Sequence, residues 1–100
     1  MLVLAHFENG YCGCDQEEVF HFEAGTELRF IEGTISEWAM DNADSFAYVH
    51  FGWEAEYTDE EYDEYIEMIE WTYENLTYEE YLKYCEDEGE EVRFTEEDAE

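Results

Sequence analysis

The side chains best suited to catalysis or metal binding in this chain of 100 residues are three cysteines and three histidines. Cys12-Gly13-Cys14 with the distant Cys85, together with His6, His21 and His50, offers sulfur and nitrogen ligands. Zinc sites leave two to four residues between paired cysteines, whereas this near pair is split by a single glycine and has one lone follower. The cysteines therefore read as a turn thiol pair plus a helix-buried Cys85, and no metal or cofactor is expected. Histidine can act as a general base, but no Ser or Cys nucleophile stands at a recognisable spacing from any of the three. The calcium pattern D-x-[DN]-x-[DN]-G is missing, as is a glycine-rich phosphate loop. Carboxylate pairs are too abundant to signal glycosidase chemistry. The expectation is a non-enzymatic protein.

The remaining chemistry is that of carboxylates. Thirty-one Asp and Glu stand against three Lys and Arg (Arg29, Lys83, Arg93), for a net charge of -28. Residues 1–50 carry ten acids and one base, residues 51–100 twenty-one and two. Asp59, Glu60, Glu61, Asp63, Glu64, Glu67, Glu70 and Glu74 fall within 16 residues. As one helix this segment is about 24 Å long, close to one charge per 3 Å, against about 3.4 Å along one DNA strand. Like charges at i,i+4 destabilise an isolated helix, and a surface built for solubility interleaves lysine. The pattern points to a surface for a basic partner, and Glu56, Asp59, Glu60, Asp63, Glu64, Glu67, Glu70, Glu74, Glu79, Glu80, Glu86, Asp87 and Glu88 are the candidate contacts. Trp53, Tyr57, Tyr62, Trp71 and Tyr84 lie among them and suit guanidinium faces where exposed.

These residues need a scaffold. Acidic chains are often disordered, but 45% apolar and 19% aromatic residues supply a core. Leu2–Glu8 reads as a strand, followed by an Asn9-Gly10 turn. Glu17–Glu23 alternates, with Phe20 and Phe22 opposite Val19 and His21, and pairs with the first strand. Thr26 can cap a helix whose apolar positions are Leu28, Ile31, Ile35, Trp38 and Ala39. Gly33 keeps open a strand at Glu27–Glu32 with a helix from Ser36. Phe46–Trp53 is β-branched and aromatic enough for a third strand, so all three histidines fall in strands. Capping boxes at Thr58–Glu61 and Thr77–Glu80 start two helices. The first carries Tyr62, Tyr65, Ile66, Ile69, Tyr73 and Leu76 on one stripe. The second carries Tyr78, Tyr81, Leu82 and Cys85, with Gly89 as its stop. Val92 and Phe94 add a short strand or dock. The fold class is α+β: a small antiparallel sheet of three or four strands with two to three helices, in the order β-β-α-β-α-α. Residues 1–94 form one acidic domain and 95–100 a frayed acidic tail.

No basic n-region precedes an apolar run near Met1, and no apolar stretch approaches the ~18 residues of a membrane span. Three cysteines make no secreted disulfide framework, so a cytoplasmic protein with reduced thiols is expected. Without a basic patch the chain does not bind nucleic acid directly. Monomer and homodimer both remain open, two copies bringing strong repulsion together.

The Tyr/Glu-rich segment Tyr57-Thr58-Asp59-Glu60-Glu61-Tyr62-Asp63-Glu64-Tyr65, with the small size and extreme acidity, resembles the acidic DNA-mimic proteins of phages and mobile elements. These include anti-restriction and anti-CRISPR inhibitors. The turn Gly10-Tyr11-Cys12-Gly13-Cys14-Asp15 and the segment Trp38-Ala39-Met40-Asp41-Asn42-Ala43 are similar to stretches of short acidic phage proteins. The resemblance implies an inhibitor that fills the nucleic-acid groove of a host defence nuclease, a CRISPR effector or restriction enzyme, in the bacterial cytoplasm. The other expectation is an acidic module for a nucleoid or transcription factor.

Overall fold

A computed structural model describes residues 1–52 and 56–100. The strand β1 (Leu2–Glu8) lies at the centre of a three-stranded antiparallel sheet in the order β2-β1-β3, with β2 at Gln16–His21 and β3 at Glu70–Leu76. The helices are α1 (Leu28–Ser45), α2 (Ala47–Phe51), α3 (Asp59–Glu67) and α4 (Tyr78–Glu88), followed by a 3₁₀ turn at Glu97–Ala99. The α+β class with its antiparallel sheet is as the sequence suggests.

Leu2-Val3-Leu4-Ala5 is apolar on both faces because both faces are covered. On one face Leu2, Leu4, Val19 and Leu76 pack under Tyr81 and Cys85 of α4, with Phe94 and Ala99 at the margin. On the other, Val3 and Ala5 meet Ile31 and Ile35 of α1. Phe7 meets Ala39, Ala43, Ala47 and Tyr65. Ile31, Ile35, Ala39, Ala43 and Ala47 are all buried and recur every fourth residue. The switch to alanine lets Phe7 and Tyr65 approach the helix axis, where larger side chains would collide.

Four expectations are corrected. Phe46–Trp53 is not a strand: Phe46 ends α1 and begins α2, which buries Ala47 and holds His50, while Trp53 lies outside the described residues. Asp59–Glu74 is not one helix: α3 stops at Glu67, Met68 closes it, and the chain runs into β3. Strand pairing with β1 replaces the helical continuation, so Trp71 and Tyr73 pack on the α1 side. Thr26 is not the cap of α1. Glu27 is, without a side-chain cap bond, while Thr26 Oγ1 donates to the Glu23 carbonyl; Leu28, expected on the apolar stripe, is 61% exposed. The tail carries the 3₁₀ turn, with Thr95 N–H donating to Asp98 at 2.9 Å.

Both capping boxes form, with Glu61 and Glu80 reaching back to Thr58 and Thr77. Gly89 ends α4 at φ 66°, the left-handed conformation that favours glycine. Phe94 docks near Tyr81, whose hydroxyl accepts from the Arg93 and Phe94 backbone N–H groups.

Candidate functional site: a divided acidic surface

The capping box at Thr58 starts α3, and its apolar side turns inward. Tyr65 is wholly buried, donating to the Ala43 carbonyl at 2.9 Å and accepting from Asn9 Nδ2. Burial pushes the Tyr65 phenol up, partly offset by the Asn9 bond. Tyr62 donates to Asp44, and burial first and that carboxylate second raise its phenol as well. With Tyr62 and Tyr65 fixed against α1, helical geometry turns Asp59, Glu60, Asp63, Glu64 and Glu67 to solvent, and all five are exposed. Glu56 is exposed just before the helix.

Glu70 and Glu74 belong to a different surface. In β3 they alternate with Trp71 and Tyr73 and share the face of Leu76, the face that α4 covers. Glu79, Glu86, Asp87 and Glu88 are exposed on α4 itself. The sheet thus separates the α3 acids from those of β3 and α4, and the continuous ridge expected from the sequence is divided. Of the thirteen expected contacts, Glu80 alone has its side chain hydrogen-bonded among the described residues. Its carboxylate accepts the Thr77 N–H at 3.0 Å, which holds its pKa below the ordinary glutamate value.

Other acids serve internally. Glu32 accepts from Tyr73 at 2.9 Å, Glu27 pairs with Arg29 at 2.7 Å, and Asp98 approaches His21 at 3.6 Å. The Thr95 backbone bond lowers the Asp98 pKa first, with His21 adding to it. Among the aromatics, Tyr57 is exposed and stacks on Phe51 at 4.1 Å, while Tyr62, Trp71 and Tyr84 are half-buried. Tyr11 and His50 Nδ1 are hydrogen-bonded at 2.6 Å, with His50 stacked on Tyr65. These contacts tie α2 to the Asn9 turn. The three cysteines are unpaired, and no three His, Cys, Asp or Glu side chains converge as a metal site requires, among the described residues.

One cluster went unread in the sequence. Antiparallel register aligns His6 with Glu17 and Thr72, and Glu8 with Glu70. Its signal was the polar/aromatic alternation of Glu70-Trp71-Thr72-Tyr73-Glu74, a strand pattern hidden inside a helical one.

No protein-family model, curated protein or solved structure matches this chain. No helix among the described residues is long and apolar enough to cross a membrane.

Proposed function

We propose that this protein is a nucleic-acid mimic, an inhibitor that fills the DNA- or RNA-binding groove of a host defence nuclease complex such as a CRISPR effector or restriction enzyme. One observation carries the reading. The molecule is a flattened body of 47 × 31 × 16 Å, and its net charge of -28 projected on the longest axis averages one charge per about 1.7 Å. A DNA duplex carries one per about 1.7 Å with both strands counted. The division of acids between two sides of the sheet supports imitation of a duplex's overall charge density rather than of one strand's phosphate register.

Lys and Arg of the target meet the outward carboxylates of α3, β3 and α4. Charge complementarity accelerates encounter and fixes orientation, while a few buried contacts retain the complex. The same division favours one other reading, an acidic module that joins another basic nucleic-acid-binding protein, such as a nucleoid or transcription factor.

Capture of the target from a host lysate, followed by displacement of a labelled duplex from it, tests both. The expected result is competitive, one-to-one displacement from a defence nuclease, lost in the folded triple variant Glu60→Lys, Glu64→Lys, Glu67→Lys. A nuclease that keeps its duplex while bound to the protein overturns the mimic. Displacement from a nucleoid or transcription factor selects the second reading.

A further inference from the structure

The outer border of β3 is a long, regular strand edge. Its register with β1 runs unbroken from Leu2↔Leu76 to Glu8↔Glu70, seven residues or about 23 Å. Every second residue of an edge strand turns its N–H and C=O away from the sheet. Among the described residues no group outside β1 bonds to the β3 backbone. Protected edges are short, bulged or covered, or carry proline or lysine; the segment from Glu70 to Leu76 has none of these features. The β2 border differs, because His21 at its end packs on Phe94 and approaches Asp98 of the C-terminal segment.

What protects the β3 border is charge of a single sign. Alternation directs Glu70, Thr72 and Glu74 to the α4 side, all three exposed. Trp71 and Tyr73 turn to the α1 side, half-buried, with nearly parallel rings 6.5 Å apart. A second copy of this strand would set carboxylate against carboxylate, and opposed like charges destabilise a sheet. A strand of opposite charge gains where the copy loses.

We propose that the β3 border receives an extended segment of a basic partner as a fourth strand, with Lys or Arg at alternate positions and apolar side chains between them. The unpaired backbone groups supply the hydrogen bonds, and the two faces supply the specificity. Cations fall opposite Glu70, Thr72 and Glu74, while apolar groups lie beside Trp71 and Tyr73. A basic helix keeps its backbone bonds internal and has none to offer this edge. The partner's identity as a nucleic-acid-binding protein rests on the reading above, whereas the edge is a property of this chain alone.

Titration of the intact protein with the blocked peptide acetyl-Lys-Val-Lys-Val-Lys-Val-Lys-amide, followed by NMR and amide exchange, tests the edge without any target. It can therefore fail independently of duplex displacement. The expected result is saturable shifts centred on residues 70–76, with alternate β3 amides exchanging about tenfold more slowly. Methylating either the valine or the lysine peptide nitrogens checks the pairing: one pattern abolishes binding and the other leaves it, because alternate residues face the edge. The double variant Glu70→Gln, Glu74→Gln weakens binding about fivefold, while Glu37→Gln on α1 leaves it unchanged. Equal binding of the block isomer acetyl-Lys-Lys-Lys-Lys-Val-Val-Val-amide, equal effects of the two methylation patterns, shifts centred on α3 or α4, or a failure to saturate would each overturn the fourth strand.

Discussion

Tyrosine hydroxyls are the residue-scale link between the acids and the core. Tyr62 and Tyr73 turn two carboxylates into internal acceptors, on Asp44 and Glu32, while Tyr65 and Tyr81 satisfy backbone groups. Tyr84 works differently. Burial, then the carboxylates Glu90, Glu17 and Glu88, push its pKa up to about 12. An unfolded tyrosine titrates near pH 10, so the unfolded chain loses that proton first. The stability Tyr84 contributes is whole below pH ~10 and is lost as pH rises to ~12. Urea midpoints at pH 9 and pH 11.5 should therefore fall less steeply in Tyr84→Phe than in the wild type. An equal fall in both would show that Tyr84 contributes nothing to the alkaline loss. The acidic side has the reverse sign: the lowered Glu80 and Asp98 pKa values mean that their contributions are lost as pH falls.

At the scale of elements, the acid-rich second half shows what sequence periodicity can and cannot settle. The start of α3, the start of α4 and its Gly89 stop were legible because each depends on local bonds between neighbouring residues. The end of α3 was not. Tyr65, Ile66, Ile69, Tyr73 and Leu76 fit helical spacing, but β1 is apolar on both faces and offers a second edge for pairing. Segment 70–76 satisfies that edge, and non-local pairing overrides the local period. Phe46–Phe51 failed in the opposite direction: its strand-like residues became helical because Ala47 continues the four-residue buried series of α1. The acidic residues of the candidate site were readable one by one, while their division across the sheet depended on this register. Trp71 anchors β3 against both α1-side clusters. Trp71→Ala should cost about 2–3 kcal/mol, below the loss for a fully buried tryptophan because Trp71 is half-buried. Urea unfolding measures it, and a change under ~0.5 kcal/mol would show that β3 is held by its backbone pairing alone.

For the whole molecule, folding and partner binding should respond to salt with opposite signs. Screening relaxes the self-repulsion of the -28 charge, so the melting temperature should rise between 20 mM and 500 mM sodium chloride. Binding to a basic groove should weaken across the same range, by tenfold or more. Calorimetry and an affinity titration on one preparation check both, and a melting temperature that falls with salt would contradict the charge-limited fold. The sheet gives those charges one more role. Among the described residues β2 and β3 each pair only with β1, which leaves two strand borders as templates for another copy. Glu17 and Glu18 guard one border, Glu70 and Glu74 the other. Near the isoelectric point of about 4.1, that guard is withdrawn. On the mimic reading proposed above, the carboxylates that meet a foreign basic surface would also oppose edge-to-edge polymerisation of this protein, so aggregation at about pH 4 that is absent at about pH 7 is the expected outcome of light scattering.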